Sequence, residues 1–435
     1  MDIDESLAML ERRGLSSFNA NGKTVVIRAD INSPIKNGTI ENISKIKVPL
    51  PTITGLIRQG GKVVILSHQG RPGDEDFITL RGHAAVLREL GVNVDFIAEN
   101  SGGRVKNRIR QMQNGDALLL ENVRFDAQEM KKVENYREHL RSPIVQDVGA
   151  EMDYFVEEDF SCMHRNEATV TGLPFAAPSY LGLHMEQELR IGSMLRKSTS
   201  KPTLFVMGGG KVHDAIGYLY DLAQSGFADS IFLTGLVGNV AIMAMNGKLG
   251  GDTPMLKQKY GNQIRAMAKF LSEYNSINKH LVKIPVDVAT MDANGRRVEY
   301  EVNELPLNAS ALDIGSRTIQ LARTEICTAN SLFNRGPSGR TDVYGFAFGT
   351  YSFLEAAIDR GVYTVIAGAH TKMVADQFNL TDRINENGHV SSGGGAMVAM
   401  LAGKKLPAIE ATAMSLKLEL PRKREEGRRK KLSLK

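Results

Sequence analysis

Leu204-Phe205-Val206-Met207-Gly208-Gly209-Gly210-Lys211 lies near the middle of the 435-residue chain. Its four apolar residues read as a buried parallel strand, because such strands are covered on both faces and need no polar alternation. The three glycines that follow allow a tight turn and a close approach of backbone to a ligand. Helical spacing then runs from Val212 to Ala223 through Ile216, Leu219 and Leu222. Backbone N–H groups, a helix dipole and the Lys211 ammonium would converge there, as an anion site requires. A tight strand-to-helix turn with a surface lysine fits the same residues.

The rest of the chain repeats this rhythm. Thr24 to Arg28, Val63 to Ser67, Ala117 to Leu120 and Tyr154 to Val156 read as strands, with extended chain from Val92 to Ile97 and helical stretches at 45–59 and 80–90. In the second half, strands are expected at 230–233, 281–284 and 363–366, and a helix from Ala396 to Leu401 after Gly393-Gly394-Gly395. Strand, polar loop and helix in alternation predict an α/β chain with parallel sheets. A phosphate loop at Gly22-Lys23-Thr24 is rejected: Ser17 stands where its first glycine belongs, and a strand follows instead of a helix.

The loops of the first half carry arginines. Arg28, Arg71, Arg124 and Arg165 lie at or just beyond strand ends, the edge where open α/β sheets bind ligands. Singly, each reads as a solvated surface arginine or as one half of an ion pair. Together they would repel one another unless an anion sat among them, and guanidinium suits phosphate or carboxylate. The loops of the second half offer glycines with few charges. A small multiply charged substrate on one half and a nucleotide on the other would explain the contrast.

Composition narrows the field. The length suggests about two domains, and Leu173 to Leu183, rich in Pro, Ala, Ser and Gly, reads as the boundary between them. Met1 to Arg13 lacks the apolar core of a secretory signal, and no run of about 18 apolar residues spans a membrane. Cys162 and Cys327 have no metal-binding spacing and indicate a reducing, cytoplasmic setting. The net charge is +5, but residues 417–435 hold nine Lys/Arg and three Glu, so the body carries −1. Basic character therefore belongs to a tail, expected to be disordered. Nucleic acid is not an expected partner beyond weak contacts of that tail.

In order, the motifs Val26-Ile27-Arg28-Ala29-Asp30-Ile31-Asn32-Ser33-Pro34, Leu66-Ser67-His68-Gln69-Gly70-Arg71-Pro72, Glu121-Asn122-Val123-Arg124-Phe125 and His164-Arg165 resemble phosphoglycerate kinase, most closely its archaeal branch. So do Gly208-Gly209-Gly210-Lys211-Val212, Thr234-Gly235-Leu236-Val237-Gly238-Asn239, Leu312-Asp313-Ile314-Gly315, Gly336-Pro337-Ser338-Gly339 and Val390 to Pro407. The resemblance implies two doubly wound parallel-sheet lobes joined by a connecting helix, with a cleft between them. It places a substrate lobe at 1–178, a hinge and helix at 179–200, a nucleotide lobe at 201–400, a segment at 401–415 returning to the first lobe, and the tail at 416–435.

It also implies phosphoryl transfer between ATP and the carboxylate of 3-phosphoglycerate, with Mg²⁺ carried on the nucleotide and no dedicated protein ligands for it. Asp30, Asn32, His68, Arg71, Arg124 and Arg165 would hold phosphoglycerate. Lys45 and Lys211 would act on the transferred group. Gly208, Gly209, Gly210, Lys211, Gly235, Asn239, Pro337, Asp342, His370, Thr371, Gly393, Gly394 and Gly395 would form the nucleotide site.

The chain also departs from the family pattern. Lys45 stands where the family places an arginine, Ala215 where many members have a second lysine, and Arg335 where asparagine precedes Gly-Pro. His370 replaces a metal-facing aspartate, Asp342 a ribose-facing glutamate, and Glu157-Glu158-Asp159-Phe160 the usual Asn-Asp-Ala-Phe. A catalytically weakened or non-catalytic ligand-binding paralogue is the alternative these changes suggest. A kinase for another phosphorylated carboxylic acid is a third reading.

Overall fold

The computed structural model describes residues 2–197, 200–277 and 281–417. The chain divides into two compact units, Met1–Arg190 with Lys405–Lys435, and Ile191–Lys404.

The first unit is built on six parallel strands: β1 (Thr24–Ala29), β2 (Lys62–Leu66), β3 (Val94–Phe96), β4 (Ala117–Leu119), β5 (Tyr154–Glu158) and β6 (Ser179–Leu181), in the order β3-β4-β2-β1-β5-β6. Every residue of β1 is buried, the apolar run Val25–Ile27 as a strand covered on both faces requires, and Arg28 with it. Val25 and Ile27 enter one core layer with Ile53, Leu56, Ile65, Leu80 and Leu87. Val26 enters the opposite layer with Val64, Val105, Leu118, Val148 and Phe155. The helical stretch expected at 45–59 is interrupted at Val48–Pro49, giving Ser44–Lys47 and Leu50–Arg58, since proline is tolerated only at a helix start.

Residues 173–183, read in the sequence as a domain boundary, are instead part of the first unit. Leu173–Phe175 is a buried turn, and Ser179–Leu181 is the sixth strand, paired with β5. The division falls later, inside the helix Leu183–Leu195. The helix Pro407–Leu416 belongs to the first unit, where Tyr136 Oη donates to Glu410 at 2.9 Å and Ala408 N to Met163 O at 3.2 Å. The basic tail from residue 418 onward lies outside the described residues.

The second unit holds a second six-stranded parallel sheet. Its members are β7 (Thr203–Met207), β8 (Ser230–Leu233), β9 (Val282–Lys283), β13 (Ser331–Arg335), β14 (Tyr363–Ala367) and β15 (Gly388–Ser391), in the order β9-β8-β7-β13-β14-β15. A separate antiparallel sheet joins β10 (Asp287–Met291), β11 (Arg297–Glu301) and β12 (Asp313–Ile314). Periodicity did not reveal β13, although it lies beside β7. Its Ser331-Leu332-Phe333-Asn334-Arg335 mixes polar residues into a buried strand. The β10–β11 hairpin was missed as well, because β11 alternates charges on a half-exposed surface.

Both sheets reverse their strand order at a central strand, β1 in the first and β7 in the second. The loops leaving that point are where an open sheet offers a crevice for a ligand.

Candidate functional site

In the first unit the switch point gathers cations and acids. Arg28 projects from β1 and is wholly buried. Its Nε donates to Thr169 Oγ1 at 3.0 Å, and its Nη1 to Asp159 Oδ2 at 2.9 Å. Arg124, on the turn after β4, donates to Gly70 O at 2.7 Å and to Glu167 Oε1 at 3.0 Å. Arg165 reaches the same Glu167 oxygen at 3.4 Å. Asn32 Oδ1 accepts from Gly70 N at 3.3 Å, tying the β1 loop to the β2 loop. Lys45 is ion-paired with Asp30.

Three of the four strand-end arginines are thus together. Arg71 stands exposed in the loop after Gly70 and has no ion pair among the described residues. Taken jointly, these cations called for an external anion; taken singly, each could be half of an ion pair. Carboxylates of the chain itself do part of the work, as the second reading allowed. Asp159 and Glu167 were not singled out as partners because nothing in their local pattern marks them. One follows β5 and the other opens a buried turn, 131 and 43 residues from the arginines they meet.

The electrostatics follow from burial and pairing. Burial pushes the Asp159 and Glu167 carboxyls up, but the guanidiniums outweigh it. Arg28 and then His68 hold Asp159 well below the usual carboxylate range, and Arg124, Arg28, His68 and Arg165 hold Glu167 below it. Burial lowers Lys45 and Asp30 more than restores it, so its ammonium stays charged. Glu129 is buried with fewer compensations and is pushed up to about 7, despite Arg28 and its bonds from Thr169.

Two donors are left over. Arg124 Nε and Arg165 Nε are buried and have no hydrogen-bond partner in the chain. Buried guanidinium donors without acceptors are costly, so they mark a place that an anion would complete.

His68, expected to meet the substrate, is only 3% exposed. Its Nδ1 lies 3.2 Å from Arg28 Nη2 and 3.5 Å from Asp159 Oδ2, and burial lowers its pKa so that the ring is neutral. It packs against Arg28 and Asp159, with little of its surface exposed. His68, Asp159 and Cys162 bring three ligand-type atoms within 4.8 Å. A cation there would lie against the buried Arg28 guanidinium, and burial keeps the Cys162 thiol protonated, so this grouping does not suit a metal.

In the second unit a pocket of about 620 Å³ opens at the β7 switch point. Gly209, Gly210, Gly235, Asn239, Pro337, Asp342 and His370 line it, together with Leu312 and Asp313. The glycine at 208 serves packing: a Cβ there would lie 2.4 Å from Pro337 O and 2.6 Å from Thr234 Oγ1. Gly235 has φ +55°, and a Cβ on it would meet Pro337 O at 2.6 Å. The turns after β7, β8 and β13 therefore interlock backbone to backbone, with Gly208 N donating to Arg335 O and Gly209 N to Pro337 O, both at 2.8 Å.

Other expected residues are not on this pocket's wall. Lys211 is the exposed residue before the helix Val212–Ser225. Thr371 is buried, with its hydroxyl unpartnered. Gly393, Gly394 and Gly395 begin the helix Gly394–Leu401. Asp342 lines the pocket but is clamped by Arg340 at 2.8 and 2.7 Å. Arg335 turns towards the helix that follows β7, its guanidinium 4.9 Å from the Tyr218 ring centroid.

The pocket's carboxylates make a poor Mg²⁺ site. Asp313 receives Arg297 and the amides of Gly349 and Ile314, Asp252 receives Ala311 N, and Asp342 is held by Arg340. His370 is a nitrogen donor, which a hard cation disfavours. No protein-held Mg²⁺ is assigned.

Two parallel α/β units, one with an incomplete arginine cluster and one with a glycine-walled pocket, define a protein class built to bind anionic ligands at switch points. The family model for phosphoglycerate kinase matches residues 15–404. The chain is 36% identical over 400 residues to the phosphoglycerate kinase of Methanopyrus kandleri, covering 91% of this chain and 96% of that one. It is 33% identical over 417 residues to that of Methanothermus fervidus, covering 95% and 98%. The solved phosphoglycerate kinase of Pyrococcus horikoshii superposes with a TM-score of 0.84 at 31% identity, covering 93% of this chain and 99% of that one. The chain belongs to the phosphoglycerate kinase family.

Proposed function

We propose that this enzyme transfers a phosphoryl group between ATP and the carboxylate of 3-phosphoglycerate. The observation that carries the reading is the pair of buried, unpartnered Nε donors on Arg124 and Arg165, beside the fully buried Arg28. A phosphate or carboxylate would supply the missing acceptors. Asn32 and the exposed Arg71 extend the same edge, and His68 holds Arg28 and Asp159 from behind.

The glycine-walled pocket of the second unit is the nucleotide site in this reading. Its backbone turns admit a ligand closely, and its volume is in the range of small-molecule sites. Mg²⁺ travels with the nucleotide, since the pocket's acids are already engaged. Lys45, charged and paired with Asp30, supplies the cation that meets the moving phosphoryl group. Lys211, exposed at a helix start of the second unit, is assigned to the phosphates of the nucleotide. Phosphoryl transfer asks little covalent chemistry of a protein. Alignment and neutralisation of charge are the contributions required, and these residues provide both. The site is assigned to the cytoplasm, where both ligands are found. Among the described residues no helix is long and apolar enough to cross a membrane.

The relatives matched over nine-tenths of the chain bear the name of the kinase, which favours an active enzyme over a binding paralogue. Purified protein with 3-phosphoglycerate, ATP and Mg²⁺, with the acyl phosphate trapped as it forms, tests the proposal. Sustained ADP production that depends on 3-phosphoglycerate is expected. Binding of both ligands without turnover would replace it with the paralogue reading.

A further inference from the structure

We propose that Glu167 is a built-in counter-anion of the acid site, sharing its arginines with the substrate and setting how tightly the anionic substrate binds. The inference rests on the assignment of Arg124 and Arg165 to that substrate, with Arg28 as their buried neighbour.

Glu167 is 4% exposed. Its Oε1 accepts from Arg124 Nη2 at 3.0 Å and lies 3.4 Å from Arg165 Nη1, while its Oε2 is 4.0 Å from Arg28 Nη2. One carboxylate therefore faces all three guanidiniums. Oε2 is buried and has no hydrogen-bond partner, so half of this carboxylate contributes charge and no bond. The neighbouring cations keep it ionised.

A purely structural role would require the arginines to depend on Glu167 for their positions. Two of them do not. Arg28 is held by Asp159 and Thr169, and Arg124 by Gly70 O. A glutamine at 167 would still accept from Arg124. What it would remove is one negative charge a few ångströms from the donors left open for the ligand. An incoming dianion approaches those donors against that charge, at a separation where a unit charge matters even with solvent screening. Glu167 thus weakens binding of the acid in its ground state and transition state alike. Such uniform effects appear in KM and not in kcat. Weaker holding also prevents the acid product from being trapped among the three guanidiniums.

The experiment measures dissociation constants of inorganic sulfate and of 3-phosphoglycerate for the wild type, Glu167→Gln and Glu167→Asp, with KM for both substrates. Glu167→Gln is expected to bind both anions roughly tenfold more tightly. KM for 3-phosphoglycerate falls in step, and KM for ATP is unchanged. Glu167→Asp keeps the charge but withdraws it by one methylene, so it should fall between, and it remains informative if the glutamine variant fails to fold. Equal or weaker anion binding in a folded variant, judged by an unchanged KM for ATP, overturns the proposal. A wild type without measurable affinity for 3-phosphoglycerate would instead refute the site assignment beneath it.

Discussion

Lys45 shows how much can turn on one side chain. By the family resemblance arginine is expected at this position, and the lysine's ammonium is ion-paired with Asp30. An ammonium is a point charge without arginine's planar fork, so in the proposed role it would neutralise the moving group but orient it less. Lys45→Ala should lower kcat by about 100- to 1,000-fold, the range for losing one donor aimed at developing charge. Lys45→Arg should retain most activity. Steady-state kinetics check both, and a kcat unaffected by Lys45→Ala would remove this residue from the mechanism. Placement was legible in the sequence here: Asp30, Asn32, Arg124 and Arg165 all follow strands of the first sheet. Their carboxylate partners were not legible, because an ion pair between residues 28 and 159 is a property of the closed fold and leaves no local pattern.

At the scale of elements, the carboxylate of Glu158 caps the helix Leu183–Leu195. It accepts from the amides of His184 at 3.2 Å and Met185 at 3.1 Å, and is hydrogen-bonded to Thr52. Burial pushes its pKa from an ordinary 4.5 up to about 7, against those bonds. A carboxyl raised in the folded state binds its proton more tightly there than when unfolded. Its favourable contribution is complete below pH about 4.5 and is lost as pH rises through about 7. The gap corresponds to roughly 3 kcal/mol, at about 1.36 kcal/mol per pH unit. Glu158→Gln should therefore flatten the decline in unfolding free energy between pH 5 and 8. The flattening is partial, because Glu129 titrates in the same window. Denaturant titrations across that range measure it, and an unchanged slope would show that Glu158 ionises normally.

The same scale explains what periodicity could see. β1, β2 and β7 each hold at least three consecutive apolar residues, Val25–Ile27, Val63–Leu66 and Leu204–Met207, and were read directly. β13 was invisible because Asn334 and Arg335 interrupt its pattern, yet it supplies the Gly336–Pro337 turn against which Gly208 packs. The Pro- and Gly-rich stretch at 173–183 looked like a linker because composition does not distinguish a buried turn plus short strand from an exposed connection. At Gly235, φ of +55° and the crowding by Pro337 O predict that Gly235→Ala costs about 1–3 kcal/mol. Thermal denaturation tests the stability change, and a rise in KM for ATP tests the link to the pocket.

For the whole molecule, the account assigns one anionic ligand to each unit. The first unit meets its ligand with guanidiniums held by internal acids, and the second with backbone turns. The division of labour was readable from the contrast between arginine-bearing and glycine-bearing loops, whereas the residue at which one unit gives way to the other was not, since it falls within a helix. Titration calorimetry of 3-phosphoglycerate and of ATP into Arg124→Ala and Gly235→Ala tests this assignment most directly. Arg124→Ala is predicted to lose roughly 10- to 100-fold in affinity for the acid, the value of a charge-assisted contact, and to bind ATP as before; Gly235→Ala is predicted to do the reverse. An Arg124→Ala protein that keeps its affinity for 3-phosphoglycerate but loses ATP would contradict it.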